Sequence, residues 1–153
     1  GKYGHRYSEW FMQWFNQLSC TSLLDYGSGS ETLRTALEET HPLVDVRCYD
    51  PGVPGREAMP EPAHFLVCTD VLEHVEEQCV SDVLNHMCSL MLKGGYIRIG
   101  LASAKRVLLD GRNAHITLKP REWWITQLKA HGFLVVQCAG GAKTCIAWVK
   151  RKA

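Results

Sequence analysis

No apolar run in the 153 residues approaches the roughly 20 residues that cross a bilayer. The opening Gly-Lys-Tyr-Gly-His-Arg-Tyr lacks the apolar core of a signal peptide. Gly1 stands where an initiator methionine is expected, so a processed or engineered end, with upstream residues missing, is the expectation. The seven cysteines include no Cys-x-x-Cys pair, and no Cys/His set has finger or ribbon spacing, which argues against structural zinc. An odd number of cysteines also argues against a disulfide framework. Cys48, Cys68, Cys138 and Cys145 lie in strand-like apolar runs, where a reduced thiol acts as a small hydrophobe, so buried structural thiols are expected. Internal repeats and low-complexity tracts are missing as well. With 46% apolar and 22% charged residues, disorder, collagen and coiled coil are excluded. What remains is one domain over residues 1–153, large enough to bury a core without staples and expected in the cytoplasm.

The formal net charge of +1 conceals an asymmetry. Residues 1–90 carry 5 basic and 14 acidic side chains, whereas residues 91–153 carry 12 basic and 2 acidic ones. Lys105, Arg106, Arg112, Lys119, Arg121 and Lys129 crowd one stretch, and Lys150, Arg151 and Lys152 form a tail. The tail reads as solvated or neutralised across the fold. The 105–121 stretch, next to a candidate site, reads as a face that meets an anion.

Periodicity gives the architecture. Tyr7, Trp10, Phe11, Trp14, Phe15 and Leu18 recur at helical spacing over 7–18, with Ser8 as a candidate N-cap. Ser22–Tyr26 is a strand that breaks at Gly27-Ser28-Gly29. Ser30 can cap the next helix, with Leu33, Ala36 and Leu37 facing inward, and His41-Pro42 ends it. Val44–Tyr49 reads as a second strand. Residues 51–64 hold four of the six prolines and read as a loop. Phe65–Thr69 is a third strand, and Val80–Leu92 a helix stopped by Lys93-Gly94-Gly95. Then follow a strand over Tyr96–Leu101, a polar, basic connection over 102–119, and a helix opened by Pro120 and closed at Gly132. Trp123 and Trp124 cannot both face the core of that helix. Phe133–Cys138 and Thr144–Val149 read as a hairpin around Gly140-Gly141.

Strands alternating with helices, then a hairpin, imply an α/β fold: a Rossmann-like, mostly parallel sheet with helices on both faces and an antiparallel C-terminal hairpin strand. Ligands in such sheets bind beyond the carboxyl ends of the strands, where the strand order reverses. The residues that follow each strand are therefore the ones to weigh. Gly27 and Gly29 let the chain turn sharply and let a ligand approach the backbone, and the next helix aims its positive end at the same place. Asp25, just before this turn, repels a pyrophosphate but attracts a ligand that carries an ammonium group. Asp50 ends the second strand and suits hydrogen bonds to ribose hydroxyls. Asp70 ends the third and adds a carboxylate at the same rim. Each alone could simply cap a helix or start a turn; three at successive strand ends point to a site.

LLDYGSGS, YDP, FLVCTDVLEHV and the stretch from Leu92-Lys-Gly-Gly to Gly132-Phe133 resemble, in this order, the class I S-adenosylmethionine-dependent methyltransferases over about residues 20 to 150. The resemblance implies S-adenosylmethionine as cofactor. Asp25, Gly27 and Gly29 would then hold its methionine moiety, Asp50 its ribose, and the 68–70 turn with Asp70 its inner side, with Ser28 and Pro51 also among the cofactor-binding residues. Three features depart from the family. Glu31 stands where its first motif continues to a third glycine. The usual third of seven strands is reduced or missing between Asp50 and Phe65. No substrate-binding domain is inserted.

A methyltransferase would act by direct in-line displacement, which requires no metal and draws on holding nucleophile and methyl in line. Its candidate bases are His115 first, then His74 with Glu73; a lone histidine is otherwise structural, and Glu73-His74 otherwise opens a helix. The Asn/Asp-Pro-Pro-aromatic motif of adenine and cytosine amino-methylating enzymes is absent, as is the Pro-Cys nucleophile of cytosine C5 enzymes. The segment before the last helix resembles the lid of members acting on small molecules. A small acceptor follows, anionic if Arg106, Arg112, Lys119 and Arg121 face it. RNA or another nucleic acid could use the same cations. Two other classes stay open: a catalytically degenerate cofactor-binding or partner subunit, and an NAD-dependent oxidoreductase. Against the latter, Thr32 stands in place of a third glycine and Asp25 precedes the turn.

Overall fold

The computed structural model describes residues 2–153, and side chains from Ser8 onward. Six strands form one sheet: β1 (Ser22–Tyr26), β2 (Asp45–Tyr49), β3 (Ala63–Thr69), β4 (Met91–Gly100), β5 (Phe133–Ala139) and β6 (Thr144–Arg151). Their order is β2-β1-β3-β4-β6-β5, with β2, β1, β3 and β4 parallel and β6 antiparallel to both of its neighbours. Between β2 and β3 the described chain makes turns only, so the family's additional strand is missing and β2 is the edge.

Helices cover both faces. On one, α1 (Lys2–Gln17) and α2 (Thr32–Thr40) bury Phe11, Phe15, Leu33 and Leu37 against Leu23, Phe65 and Tyr96. On the other, α3 (Val80–Leu90) and α4 (Arg121–Ala130) bury Leu84, Met87, Trp124 and Leu128 against Leu24, Leu66 and Ile97. Leu23 and Leu24, like Phe65 and Leu66, are neighbours in sequence that serve opposite faces, because side chains alternate along a strand. That is why these strands are apolar throughout. None of α2, α3 and α4 has a side-chain N-cap hydrogen bond. A cap is worth about 1 kcal/mol, whereas each fully buried large apolar side chain contributes roughly 1.5–3 kcal/mol. Burial therefore holds these helices.

Several local expectations are corrected. The first helix begins at Lys2, so Ser8 lies inside it, buried, and cannot be its N-cap; the side chain of Tyr7 lies outside the described residues. Ser30 does not cap α2: the N-cap position is Glu31, in the left-handed region at φ 59°. α3 stops at Leu90, and Gly94-Gly95 lie within β4. A Cβ at Gly94 would stand 2.5 Å from Leu18 Cδ1 and 2.6 Å from the Val149 carbonyl oxygen, and one at Gly95 2.5 Å from the Leu66 carbonyl oxygen. These glycines permit close strand and helix approach; they do not terminate a helix. Pro120 is the N-cap of α4, in which Trp124 is fully buried and Trp123 half-buried. Cys68 and Cys145 are buried as expected, but Cys138 is exposed and Cys48 half-buried.

Candidate functional site

After β1 the chain turns through Gly27 at φ 82° and Gly29 at φ 51° before α2 begins. The Gly27 and Ser28 amides both donate to the Tyr49 carbonyl, at 2.7 and 3.1 Å, which ties this turn to the end of β2. A Cβ on Gly27 would stand 2.3 Å from Val71 Cγ2, while Gly29 faces open space. The result is a cavity of about 430 Å³ between the ends of β1 and β3, lined by Asp25, Gly27, Ser28, Gly29, Thr69 and Asp70 among others. It lies where the strand order reverses: β2 is added on one side of β1 and β3 on the other.

The carboxylates at this rim divide into two kinds. Asp50 accepts from the Gly29 amide through Oδ2 and the Gly52 amide through Oδ1, both at 2.9 Å, so it braces the glycine turn and its own. Pro51 beside it is exposed. Glu31 accepts from Arg56 Nε at 2.5 Å and Nη2 at 2.8 Å and from Arg34 Nη1 at 3.1 Å. The Arg56 hydrogen bond in particular holds its carboxyl down at about 2. Asp70, at φ 58°, accepts from Arg98 Nη1 at 2.7 and 2.6 Å. Asp25 differs. It is 5% exposed and has no hydrogen-bond or ion-pair partner among the described residues. Burial, then the charges of Asp50 and Glu31, push its carboxyl from 3.8 up to about 7. Ser28 Oγ is likewise buried without a hydrogen-bond partner. A buried acid and a buried hydroxyl thus face the cavity with nothing among the described residues to satisfy them.

Beyond Asp70 the chain passes into a 3-10 turn, Leu72–His74, and here the three expected bases meet. One candidate donor atom each of Glu73, His74 and His115 lies within 4.8 Å of one from each of the others. The two rings are edge to face at a centroid distance of 4.9 Å. His74 Nδ1 lies 2.8 Å from the Ala114 carbonyl oxygen, and His115 Nδ1 lies 2.5 Å from that of Ala102. Glu73 is 1% exposed; its Oε1 accepts from the Gly100 amide at 3.0 Å, and its Oε2 is buried without a partner. Burial raises the carboxyl above its ordinary range.

Residues not singled out from the sequence position this cluster. Asn113 Oδ1 accepts from the Ala104 and His115 amides, and its Nδ2 donates to the Ala104 carbonyl, so one side chain shapes the loop that carries His115. Thr117, buried, donates to the Val75 carbonyl through Oγ1 at 2.6 Å, and its amide donates to the Glu73 carbonyl. Asn113-Ala114-His115, within the polar, basic connection, is the sequence signal of this loop.

The basic connection is less open to an anion than its composition suggests. Arg112 pairs with Glu76 and Asp110, each at 2.8 Å, and Lys119 pairs with Glu77 at 2.7 Å and covers the Trp123 ring. Arg121 Nη2 donates to the carbonyls of Gly140, Gly141 and Thr144. Lys105 and Arg106 are exposed. Arg112 and Lys119 thus pair with acids from the acidic part of the chain, Glu76 and Glu77, within the stretch where the sequence points to an anion.

No protein-family model matches the sequence, and no curated protein does. Solved structures are similar in fold. Mitomycin 7-O-methyltransferase matches at 14% identity over 88% of this chain and 50% of its own, with a TM-score of 0.66. Magnesium protoporphyrin IX methyltransferase from Synechocystis PCC 6803, solved with bound S-adenosylhomocysteine, matches at 13% identity over 97% of this chain and 83% of its own, TM-score 0.66. The 1,6-didemethyltoxoflavin-N1-methyltransferase of Burkholderia thailandensis, solved with that compound and S-adenosylhomocysteine, matches at 16% identity over 99% and 79%, TM-score 0.66. This chain spans about half the length of the first of them. Its fold is that of the class I S-adenosylmethionine-dependent methyltransferases, as the sequence motifs imply.

Proposed function

We propose that this chain binds S-adenosylmethionine in the cavity between β1 and β3 and transfers its methyl group to a small acceptor held near the Glu73–His74–His115 cluster. The observation that carries the reading is Asp25, a buried carboxylate with no protein partner in a cavity whose backbone is cleared of side chains by Gly27 and Gly29. The donor set fits the cofactor: an unpaired acid for its ammonium group, an unpartnered Ser28 hydroxyl, and a glycine turn open to close approach. The chemistry the cofactor supplies when bound is an electrophilic methyl on a sulfonium.

The chain's own residues supply charge, position and a proton acceptor. Asp25 gains its charge when a cation replaces the water it has lost, so binding and ionisation are coupled. Asp50, with both oxygens already bracing backbone amides, retains lone pairs for two hydroxyls of a ribose. Pro51 borders that side, and Asp70, held by Arg98, borders the inner one. The acceptor's proton, where it has one, goes to His115, or to His74 with Glu73 beside it. Since both Nδ1 atoms face carbonyl oxygens, the basic nitrogen of each ring is Nε2. An anionic acceptor draws its support from Lys105 and Arg106 alone, because Arg112, Lys119 and Arg121 are engaged within the fold. The same engagement weakens the case for a nucleic acid, and fold neighbours named for mitomycin, magnesium protoporphyrin IX and 1,6-didemethyltoxoflavin support a small molecule. No described helix is long and apolar enough to cross a membrane.

Calorimetric titration with S-adenosylmethionine, S-adenosylhomocysteine and NAD tests the reading. Micromolar binding of the two sulfur ligands, weakened at least tenfold in Asp25→Asn, is expected. Binding of NAD instead, or of none of the three by folded protein, would overturn it.

A further inference from the structure

Glu73, His74 and His115 share a feature beyond their nearness: all three are held from behind. A carbonyl oxygen can only accept, so each Nδ1 facing one carries the proton, and the lone pair of each ring is on Nε2. Fixing an imidazole by Nδ1–H to a backbone carbonyl is the arrangement that orients a metal-ligating histidine. Glu73 is held in the same way, with Oε1 on the Gly100 amide and Oε2 left over. That second oxygen is buried and unpartnered on a side chain only 1% exposed, which is costly unless a cation or a proton meets it. The loop behind is built to keep the set together, through the Asn113 bonds around His115 and the Thr117 bonds to Val75 and Glu73.

We propose that Glu73, His74 and His115 form a binding site for one divalent transition-metal ion, with two imidazole nitrogens and one carboxylate oxygen as protein ligands and the remaining positions open. Imidazole with carboxylate suits Zn²⁺, Co²⁺ and Fe²⁺ better than Ca²⁺ or Mg²⁺, which favour all-oxygen sets. An ion that holds ligands at about 2.1 Å keeps them roughly 3.4 Å apart. One eligible ring nitrogen or carboxylate oxygen of each residue already lies within 4.8 Å of the others, so side-chain rotation that brings both Nε2 atoms and a Glu73 oxygen onto one ion completes the set. Three protein ligands leave room for a water or for an oxygen or nitrogen of a bound molecule. The three donors come from two stretches far apart in the chain, one at the end of β3 and one in the 102–119 connection, which is why no ligand spacing is visible in the sequence. Nearby carboxylates do not compete for the ion, since Asp70 is paired with Arg98 and Glu76 with Arg112. The proposal stands on this geometry and is independent of what fills the cavity beside Asp25. An ion on both Nε2 atoms takes up the lone pairs that would otherwise accept a proton, so in the metal-bound protein that role passes from the rings to the ion's own bound hydroxide.

Cobalt titration of chelator-treated protein tests it. One equivalent of Co²⁺ should produce visible d–d bands without a sulfur-to-cobalt charge-transfer band, and Zn²⁺ should displace it. His115→Ala and Glu73→Gln should each weaken Co²⁺ binding by a factor of about 100, and Asn113→Ala, which loosens only the loop, by about 10. S-adenosylhomocysteine titrated into the same samples reports that each variant is folded and keeps the two readings apart. Retained S-adenosylhomocysteine binding with no cobalt bands overturns the metal site and leaves the methyltransferase reading intact. Cobalt bands without S-adenosylhomocysteine binding do the reverse. Bands that persist unchanged in the variants, or that carry a thiolate charge-transfer band, place the ion on other residues and overturn the proposal. Stabilisation of the metal-free protein by Glu73→Gln with no cobalt binding in wild type would show that Oε2 holds a proton instead.

Discussion

The cavity beside Asp25 and the cluster around Glu73 lie at the same rim of the sheet, yet they are made in opposite ways. The first is a backbone construction, in which two glycines at positive φ clear a space and a single carboxylate gives it a charge. The second is a side-chain construction, in which three polar groups are each tied from behind to the main chain. Other rim acids are satisfied internally: Glu31 by Arg56, Asp70 by Arg98, Glu76 by Arg112. Two buried carboxylates in one small domain, both short of partners, are too costly to be incidental. On the readings proposed above, they are places among the described residues where the fold leaves charge for something from outside, a cationic group at one and a proton or metal ion at the other.

The comparison breaks most sharply at Gly27. Alanine there must adopt φ 82° and drive a methyl to 2.3 Å from Val71 Cγ2. Left-handed backbone and overpacking together cost about 2–5 kcal/mol. Gly27→Ala should lower Tm markedly and abolish S-adenosylhomocysteine binding, while any protein that remains folded keeps the properties of the Glu73 cluster. Calorimetry and thermal unfolding check this, and retained cofactor affinity would show that the turn is not the binding surface.

Asp25→Asn comes next, with a sign set by pH. The carboxyl is raised from 3.8 to about 7 by burial and its acidic neighbours. Between these values the folded state keeps a proton that the unfolded chain has lost, so stability falls as pH rises from about 4 to about 7. The full difference is of the order of 4 kcal/mol. Replacing the acid by the neutral amide removes that slope. The variant should match wild type at pH 4, exceed it by a few kcal/mol at pH 8 in urea unfolding, and bind S-adenosylmethionine at least tenfold more weakly at the higher pH. Wild-type affinity should rise through pH 7 and then level off.

How much of this is legible in the sequence follows from the range of each interaction. The β1–turn–α2 unit can be read directly, because an apolar run, two close glycines and a helical period are all local. Glu73, His74 and His115 can be singled out as candidates as well, but their meeting cannot, since it depends on the loop that Asn113 folds back. Ser8 looks like a cap because Lys2–Arg6 carries no apolar period, although the helix runs through it. Gly94 and Gly95 look like a helix stop because a glycine that ends a helix and one that admits a neighbour are identical until Leu18, Leu66 and Val149 are in place. The pairing of Arg112 and Lys119 is hidden for the same reason: their partners Glu76 and Glu77 lie in an earlier segment. Glu31 shows the limit in another form. Its backbone is left-handed at φ 59°, a conformation that glycine adopts without steric cost and that a glutamate in the sequence does not announce.

A milder change separates the two constructions from the other side. A Cβ at Gly100 would stand 2.8 Å from Glu73 Oε1 and 3.2 Å from His115 Cε1. These are side-chain atoms that can give way, so Gly100→Ala should cost about 1–2 kcal/mol. It should leave S-adenosylhomocysteine affinity unchanged within a factor of about two, while shifting the His115 ring resonances in NMR spectra. A loss of cofactor binding equal to that of Gly27→Ala would mean that cavity and cluster are one unit.

The smallest effect is expected at Glu31, which belongs to neither construction but stands beside the cavity. Its left-handed backbone costs about 1–2 kcal/mol that a glycine does not incur, and its carboxylate fastens Arg56, and with it the 51–62 loop, to the start of α2. Glu31→Gly removes both at once, so global stability should change little at pH 7, while the loop is released. Trypsin cleavage after Arg56 at low protease should become several-fold faster, with Tm nearly constant. In wild type the carboxyl is held down at about 2, so its contribution is present above the ordinary glutamate range and is lost only as pH falls through about 2; the loop should therefore remain protected from an acid-active protease at pH 3. Protection that is equal in wild type and Glu31→Gly at both pH values would assign the loop's order to Asp50, whose two backbone hydrogen bonds brace it from the other end.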